Sequence, residues 1–264
     1  MKSVYTGGEK VAEFESYDEL RVGDGKPAFI YEGNELVYPN PVKDGLVLWY
    51  DFSGRTNADS QRGIAEDLSG NGNHGTLQNF NYTPESGYDK NKLLFDGVDD
   101  YVQATQNTYE NFTVEMVLRL KPFQKVGSIF GSRRSVFIDT EESGIEIRND
   151  SNSLLRYYIT DGTTMSTNGV GAGIDMSEKI FHLLFLRGVD GGFIAINGQE
   201  VSRFSAQDVG TITDSRPLSL GTRGSSATYG QNAEFSSFKF YDKALTSEEI
   251  AHNYAIEKER FGIE

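Results

Sequence analysis

The sequence contains no cysteine, so no disulfide staples the fold and the chain carries no record of its redox compartment. Basic residues are scarce beside acidic ones, 25 Lys and Arg against 39 Asp and Glu, for a formal net charge of −14. Nucleic-acid binding needs a basic footprint, so this balance argues against a phosphate-backbone partner. The acidity either keeps the surface soluble or offers oxygens to cations. No apolar run approaches the ~18 residues of a membrane span. The opening Met1-Lys-Ser-Val-Tyr-Thr-Gly-Gly-Glu-Lys10 lacks the apolar core of a secretory signal. Histidine is limited to His74, His182 and His252, and no Gly-X-Ser-X-Gly elbow occurs, so nothing marks nucleophilic catalysis.

Hydrophobic residues make up 37 % of the 264, with 17 Phe and 14 Tyr, enough for a packed core. The 29 glycines are spread along the chain and suit tight turns between short strands. Leu46, Leu48 and Tyr50 alternate with Val47, Trp49 and Asp51, and Phe112, Val114, Met116 and Leu118 form one face of a strand. Ile180-Phe-His-Leu-Leu-Phe-Leu186 reads as a central strand, with His182 as a buried structural histidine and Trp49 as a core residue. Phe193–Val201 reads as a hairpin turning at Asn197-Gly198. Turns recur about every ten residues, which favours a β-sandwich over a parallel sheet. Only the end is helical. Thr246-Ser-Glu-Glu249 is a capping box, and Ile250, Tyr254 and Phe261 share the face expected to dock.

Four segments carry a family resemblance: Gly45-Leu-Val-Leu-Trp-Tyr-Asp-Phe52, Asp67-Leu-Ser-Gly-Asn-Gly-Asn-His-Gly75, Leu93-Leu-Phe-Asp-Gly-Val-Asp-Asp-Tyr101 and Phe240-Tyr-Asp-Lys-Ala-Leu-Thr-Ser-Glu-Glu-Ile250. In this order they resemble the laminin-G-like, concanavalin-A-like jelly-roll family, from Gly45 to Ile263. The resemblance implies an all-β, antiparallel sandwich over residues 45–264. It also implies a structural calcium ion, held by Asp67, Asn71 and Asn73 with Asp96 or Glu234 completing the shell. Phe235-Ser236-Ser237 stands where many members carry Ile-Asp-Glu, which removes two carboxylates from that site. The alternative is that Asp67 and its asparagines hold the loop by Asx-type hydrogen bonds.

Residues 1–44 read as a separate arm. Val4-Tyr-Thr-Gly-Gly-Glu-Lys-Val11 and Ile30-Tyr-Glu-Gly-Asn-Glu-Leu-Val37 align at an offset of 26, each with a two-residue turn, Gly7-Gly8 and Gly33-Asn34. Tyr17 to Gly25 lie between these two hairpins, and Pro39-Asn-Pro41 makes an extended linker. The arm resembles the leading arms of phage tail proteins. Isolated hairpins are marginal in water, so Tyr5, Phe29, Tyr31 and Val37 are expected to bury against a partner, either other protomers or another structural protein.

A catalytic jelly roll of the glucanase type needs carboxylates at alternating positions of one strand. Glu146 has none two places either side, Glu115 has Thr113 and Val117 as same-face neighbours, and Asp139-Thr-Glu-Glu142 reads as a turn. Sugar binding calls for exposed rings near polar side chains, and Tyr82, Tyr88, Tyr109 and Tyr229 lie in such loops. The expectation is a non-enzymatic virion protein, made in the host cytoplasm, oligomeric, and displaying a carbohydrate-binding type of jelly roll to host glycans. The alternative is a carbohydrate-active enzyme or its accessory binding module.

Overall fold

The computed structural model describes residues 2–6, 9–14, 29–32, 35–104, 110–132, 143–152, 154–170, 176–205, 212, 217–223 and 229–264. The expected turns at Gly7-Gly8, Gly33-Asn34 and Asp139–Glu142, the stretch 17–25, and Tyr109 lie outside them. Two compact units divide the chain, Met1–Val42 and Lys43–Glu264.

Among its described residues, the first unit holds two antiparallel strand pairs. β1 (Lys2–Thr6) pairs antiparallel with β2 (Glu9–Phe14), and β3 (Ile30–Glu32) pairs with β4 (Glu35–Tyr38). Phe29 and Val37 are half-buried and Tyr31 is 54 % exposed, while Tyr5 sits in β1.

The second unit is a sandwich of two antiparallel sheets. One runs in the order β15 (Met165–Val170), β14 (Leu154–Asp161), β13 (Ser143–Ser151), β12 (Gly127–Gly131), β19 (Ser219–Leu220), β10 (Tyr101–Gln103), β7 (Gly75–Gln78), β6 (Ile64–Ala65). The other runs β18 (Gln199–Ser205), β17 (Gly191–Ile196), β16 (Ile180–Gly188), β11 (Phe112–Leu120), β20 (Asn232–Tyr241), β9 (Lys92–Asp96), β8 (Gly87–Asp89). β5 (Leu46–Asp51) also pairs with β20, at Ser237–Tyr241, while β9 takes Asn232–Phe235.

Period-two alternation puts the expected face inside. Leu48, Tyr50, Phe112, Val114, Met116 and Leu118 join one buried cluster with Phe130, Ile147, Phe185 and Phe238. Phe112 meets Phe185 edge-on at 5.2 Å between ring centres, a favoured aromatic geometry. The β17–β18 turn is built by Asn197 (φ 50°) and Gly198 (φ 74°). Both sit in the left-handed region that a type I′ turn demands, which is why Asn-Gly is found there.

The helix α1 (Ser247–Phe261) begins at the Thr246 cap, with the Thr246 hydroxyl and the Glu249 carboxylate each taking up the other's backbone N–H. It docks differently from the sequence expectation. Ile250 packs near Leu184, and Tyr254 lies 5.5 Å from the His182 ring, but Phe261 is only half-buried. The fully buried helical side chains are polar, Asn253 and Glu257. Both reach charged or polar partners on the outer face of the second sheet, which an apolar-periodicity argument does not count.

Candidate functional site

On β9, Leu93 and Phe95 enter the core, so Lys92, Leu94 and Asp96 face outward. Register then sets Asp96 opposite Asn232 and Leu94 opposite Glu234, and β11 places Arg119 opposite Glu234. The result is a groove on the outer face of the second sheet. One cavity of about 480 Å³ is lined by Asp96, Asn232, Glu234, Lys121 and Gln124, with Pro84 and Pro122 as apolar surface. An adjoining cavity of about 270 Å³ shares Asp96, Pro122, Gln124 and Asn232 and adds Gln231. These volumes are in or just below the range of small-ligand sites.

Charge inside the groove is organised around Glu234. Lys121 Nζ lies 2.6 Å and Lys92 Nζ 2.7 Å from its carboxylate, with Arg119 at 3.7 Å. Burial works to raise its pKa, but the two lysines outweigh it and hold the group below the usual glutamate range. Gln231 is 5 % exposed, and among the described residues its amide oxygen has no hydrogen-bond partner. A buried acceptor left unpaired is costly, and a ligand hydroxyl would satisfy it.

The five residues expected to share a calcium ion are divided among different surroundings. The Asp67 carboxylate accepts from the backbone N–H of Trp49, Ser69 and Asn73 at 2.9 Å each, and from the Ser69 hydroxyl at 2.8 Å. Asn71 and Asn73 donate to the Val47 carbonyl, and Asn71 also to that of Leu46. His74 Nδ1 accepts from Asp67 N. Thus the glycine-rich loop spends its oxygens and amides fastening itself to β5. Asp96 instead gathers with Asp99 and Asp100, and Glu234 with its three basic neighbours.

The tyrosines are also dispersed. Tyr88 is 6 % exposed, belongs to the core, and has the Arg55 guanidinium 5.7 Å above its ring. Tyr82 is half-buried beneath Arg62, 4.1 Å from the ring centre. Tyr229 is half-buried with Arg223 stacked 3.6 Å from its ring centre. Arg223 in turn lies 3.7 Å from Glu146, which takes a hydrogen bond from Ser128. Next along that face of β13 come Arg148 and Asp150, the latter held by Arg148 at 2.7 Å and Arg156 at 2.8 Å. Glu146 and Asp150 are thus each paired with arginine.

A family model described as the Concanavalin A-like lectin/glucanases superfamily matches residues 96–251. The chain belongs to this superfamily. No curated protein sequence matches the chain. Among solved structures of the lectin-like jelly-roll fold, it is similar to the ligand-binding domain of botulinum neurotoxin serotype D in complex with N-acetylneuraminic acid. The TM-score is 0.62 at 14 % identity, over 83 % of this chain and 52 % of that one. The receptor-binding domain of botulinum neurotoxin D gives 0.62 at 15 % over 83 % and 54 %. The binding domain of Paraclostridial mosquitocidal protein 1 gives 0.57 at 14 % over 82 % and 52 %. The chain therefore spans about half the length of these structures, and identities this low establish the fold alone.

Sequence reasoning named Asp96 and Glu234 but missed Asn232, Gln231, Lys121 and Gln124. The available signal was the outward period of β20, where Asn232 and Glu234 alternate with Ala233 and Phe235.

Proposed function

We propose that the protein is a non-enzymatic glycan-binding module of a virion, attached to the particle through its N-terminal hairpin unit. The observation that carries glycan binding is the groove in which register sets Asp96, Asn232 and Glu234 side by side next to the Gln231 amide oxygen, which has no hydrogen-bond partner among the described residues. Sugars offer dense hydroxyls, and such a set of fixed acceptors and donors beside apolar prolines suits them. A ligand-binding domain in complex with N-acetylneuraminic acid, about half of which shares this fold, adds support. Virion attachment is supported by the hairpins of Met1–Val42, which form a unit separate from the sandwich and resemble the arms of phage tail proteins. Other virion proteins or further copies of this chain would bury their faces.

A panel of bacterial cell-wall polysaccharides tests the binding. Retention of one class, weakened about tenfold or more by Asn232→Ala or Gln231→Ala, fits the reading, and released oligosaccharide overturns it. Deleting residues 1–42 tests attachment. A soluble, cooperatively folding remainder that no longer enters particles is expected, whereas continued incorporation removes the arm from that role.

A further inference from the structure

The smaller cavity of the groove combines chemistries that sugar hydroxyls alone do not call for. Val98, in the turn from β9 to β10, is 63 % exposed. It lines the cavity of about 270 Å³ together with Phe123, which is half-buried, and the exposed Pro122. Apolar surface left open beside polar side chains can bury a small apolar group of a ligand.

Polar partners line the same cavity. Asp96 is half-exposed, and among the described residues it accepts one hydrogen bond, at Oδ1 from the Val98 amide at 2.7 Å. Its other oxygen is left for a ligand N–H. Gln124 is exposed and brings an amide donor for a ligand carbonyl. The lining has one acid, Asp96, and one base, Lys125. Lys92 and Lys121 nearby are already engaged by Glu234. The cavity therefore holds no surplus charge to select an acidic sugar.

The walls are set before a ligand arrives. Lys121 N donates to the Asn232 carbonyl at 3.2 Å and Phe123 N to Asn152 Oδ1 at 2.6 Å, which pins the start of the 121–126 loop. On the other side Gly97 has φ +80°, and a Cβ there would meet Asn232 Cβ at 2.7 Å. A Cβ on Gly230 would meet the Val98 carbonyl oxygen at 2.5 Å. Glycine lets these two turns close on each other, and walls fixed in advance reduce the ordering cost of binding.

We propose that the groove selects a neutral sugar bearing an N-acetyl group, an N-acetylhexosamine. The acetyl methyl lies against Val98 and Phe123, the amide N–H faces Asp96, and the amide carbonyl faces Gln124. This rests on the glycan-binding reading and names the ligand class for the same site.

Saturation-transfer NMR on the whole protein tests the class, with the methyl glycosides of N-acetylglucosamine, N-acetylgalactosamine, glucose and galactose as probes. At least one acetamido glycoside is expected to bind about tenfold more tightly than its matching hexoside, with the acetyl methyl protons the most strongly saturated. Val98→Ser, at an exposed position, should leave the fold intact and weaken that binding about fourfold or more. Equal binding of acetamido glycoside and hexoside, or wild-type binding by Val98→Ser, overturns the inference. If neither acetamido glycoside binds while a polysaccharide of the panel is retained, the class is wrong and glycan binding stands. Absence of binding to every glycan removes both.

Discussion

The side-chain amide of Asn253 on α1 donates to the Glu115 carboxylate on β11 at 2.8 Å, across 138 residues of sequence and with both groups buried. Around this bond lie the Tyr241 hydroxyl, which accepts from the same amide at 2.9 Å, the His182 ring, and the Lys239–Glu257 ion pair. The helix is therefore fastened to the sheet by a polar network as much as by apolar contact.

That network gives opposite pH responses to two neighbours. Burial, with the Glu257 charge adding to it, pushes the Glu115 carboxyl up to about 7, although Lys239 and Asn253 act against the rise. Burial, then the Lys239 charge, brings His182 down to about 3. As pH falls from 7 toward 4.5, the folded state takes up the Glu115 proton first and gains stability. Below 6.5 the unfolded state takes up the His182 proton first, and stability is lost down to about pH 3. The two nearly cancel between pH 6.5 and 4.5. Glu115→Gln removes the gain, so urea unfolding of that variant should lose about 2 kcal/mol relative to wild type between pH 6.5 and 5. Parallel stability curves for the two proteins would dismiss the coupling.

Asp67→Ala should cost about 3 kcal/mol or more, because three backbone N–H groups lose their acceptor and the loop loses its hold on β5. A urea midpoint shift worth less than about 1 kcal/mol would show that the loop is held by other means.

Gly221 has φ +80°, and a Cβ there would meet the Phe95 ring at 2.4 Å. Gly221→Ala should therefore destabilise by about 2–4 kcal/mol through combined overpacking and backbone strain. Gly54 has a similar φ of +73° with open space around it, so Gly54→Ala should cost only the strain, about 1 kcal/mol. Calorimetric melting of both variants checks the difference, and equal shifts would show that Phe95 moves aside freely.

The alternation of Phe112, Val114, Met116 and Leu118, the Asn197-Gly198 turn and the Thr246–Glu249 cap were all legible in the sequence. Each depends on residues within one strand, one turn or one helical turn, where period and backbone preference act locally. What the sequence could not supply was which distant positions become neighbours. Lys92 and Glu234 are 142 residues apart and meet because β9 pairs with the start of β20 in one register. A slip of one residue would turn Glu234 inward and leave Lys92 without it. The same register places Asn232 beside Asp96, and it left Asp67 on the β5 side with its own hydrogen bonds. Likewise, Asn253 and Glu257 lie off the apolar face of α1 expected to dock, and they are buried because the sheet presents Glu115 and Lys239 to them. Local chemistry in the chain determined the strands, turns and cap. The groove and the buried network were decided by sheet register, because only tertiary pairing sets the distances between charges far apart in sequence.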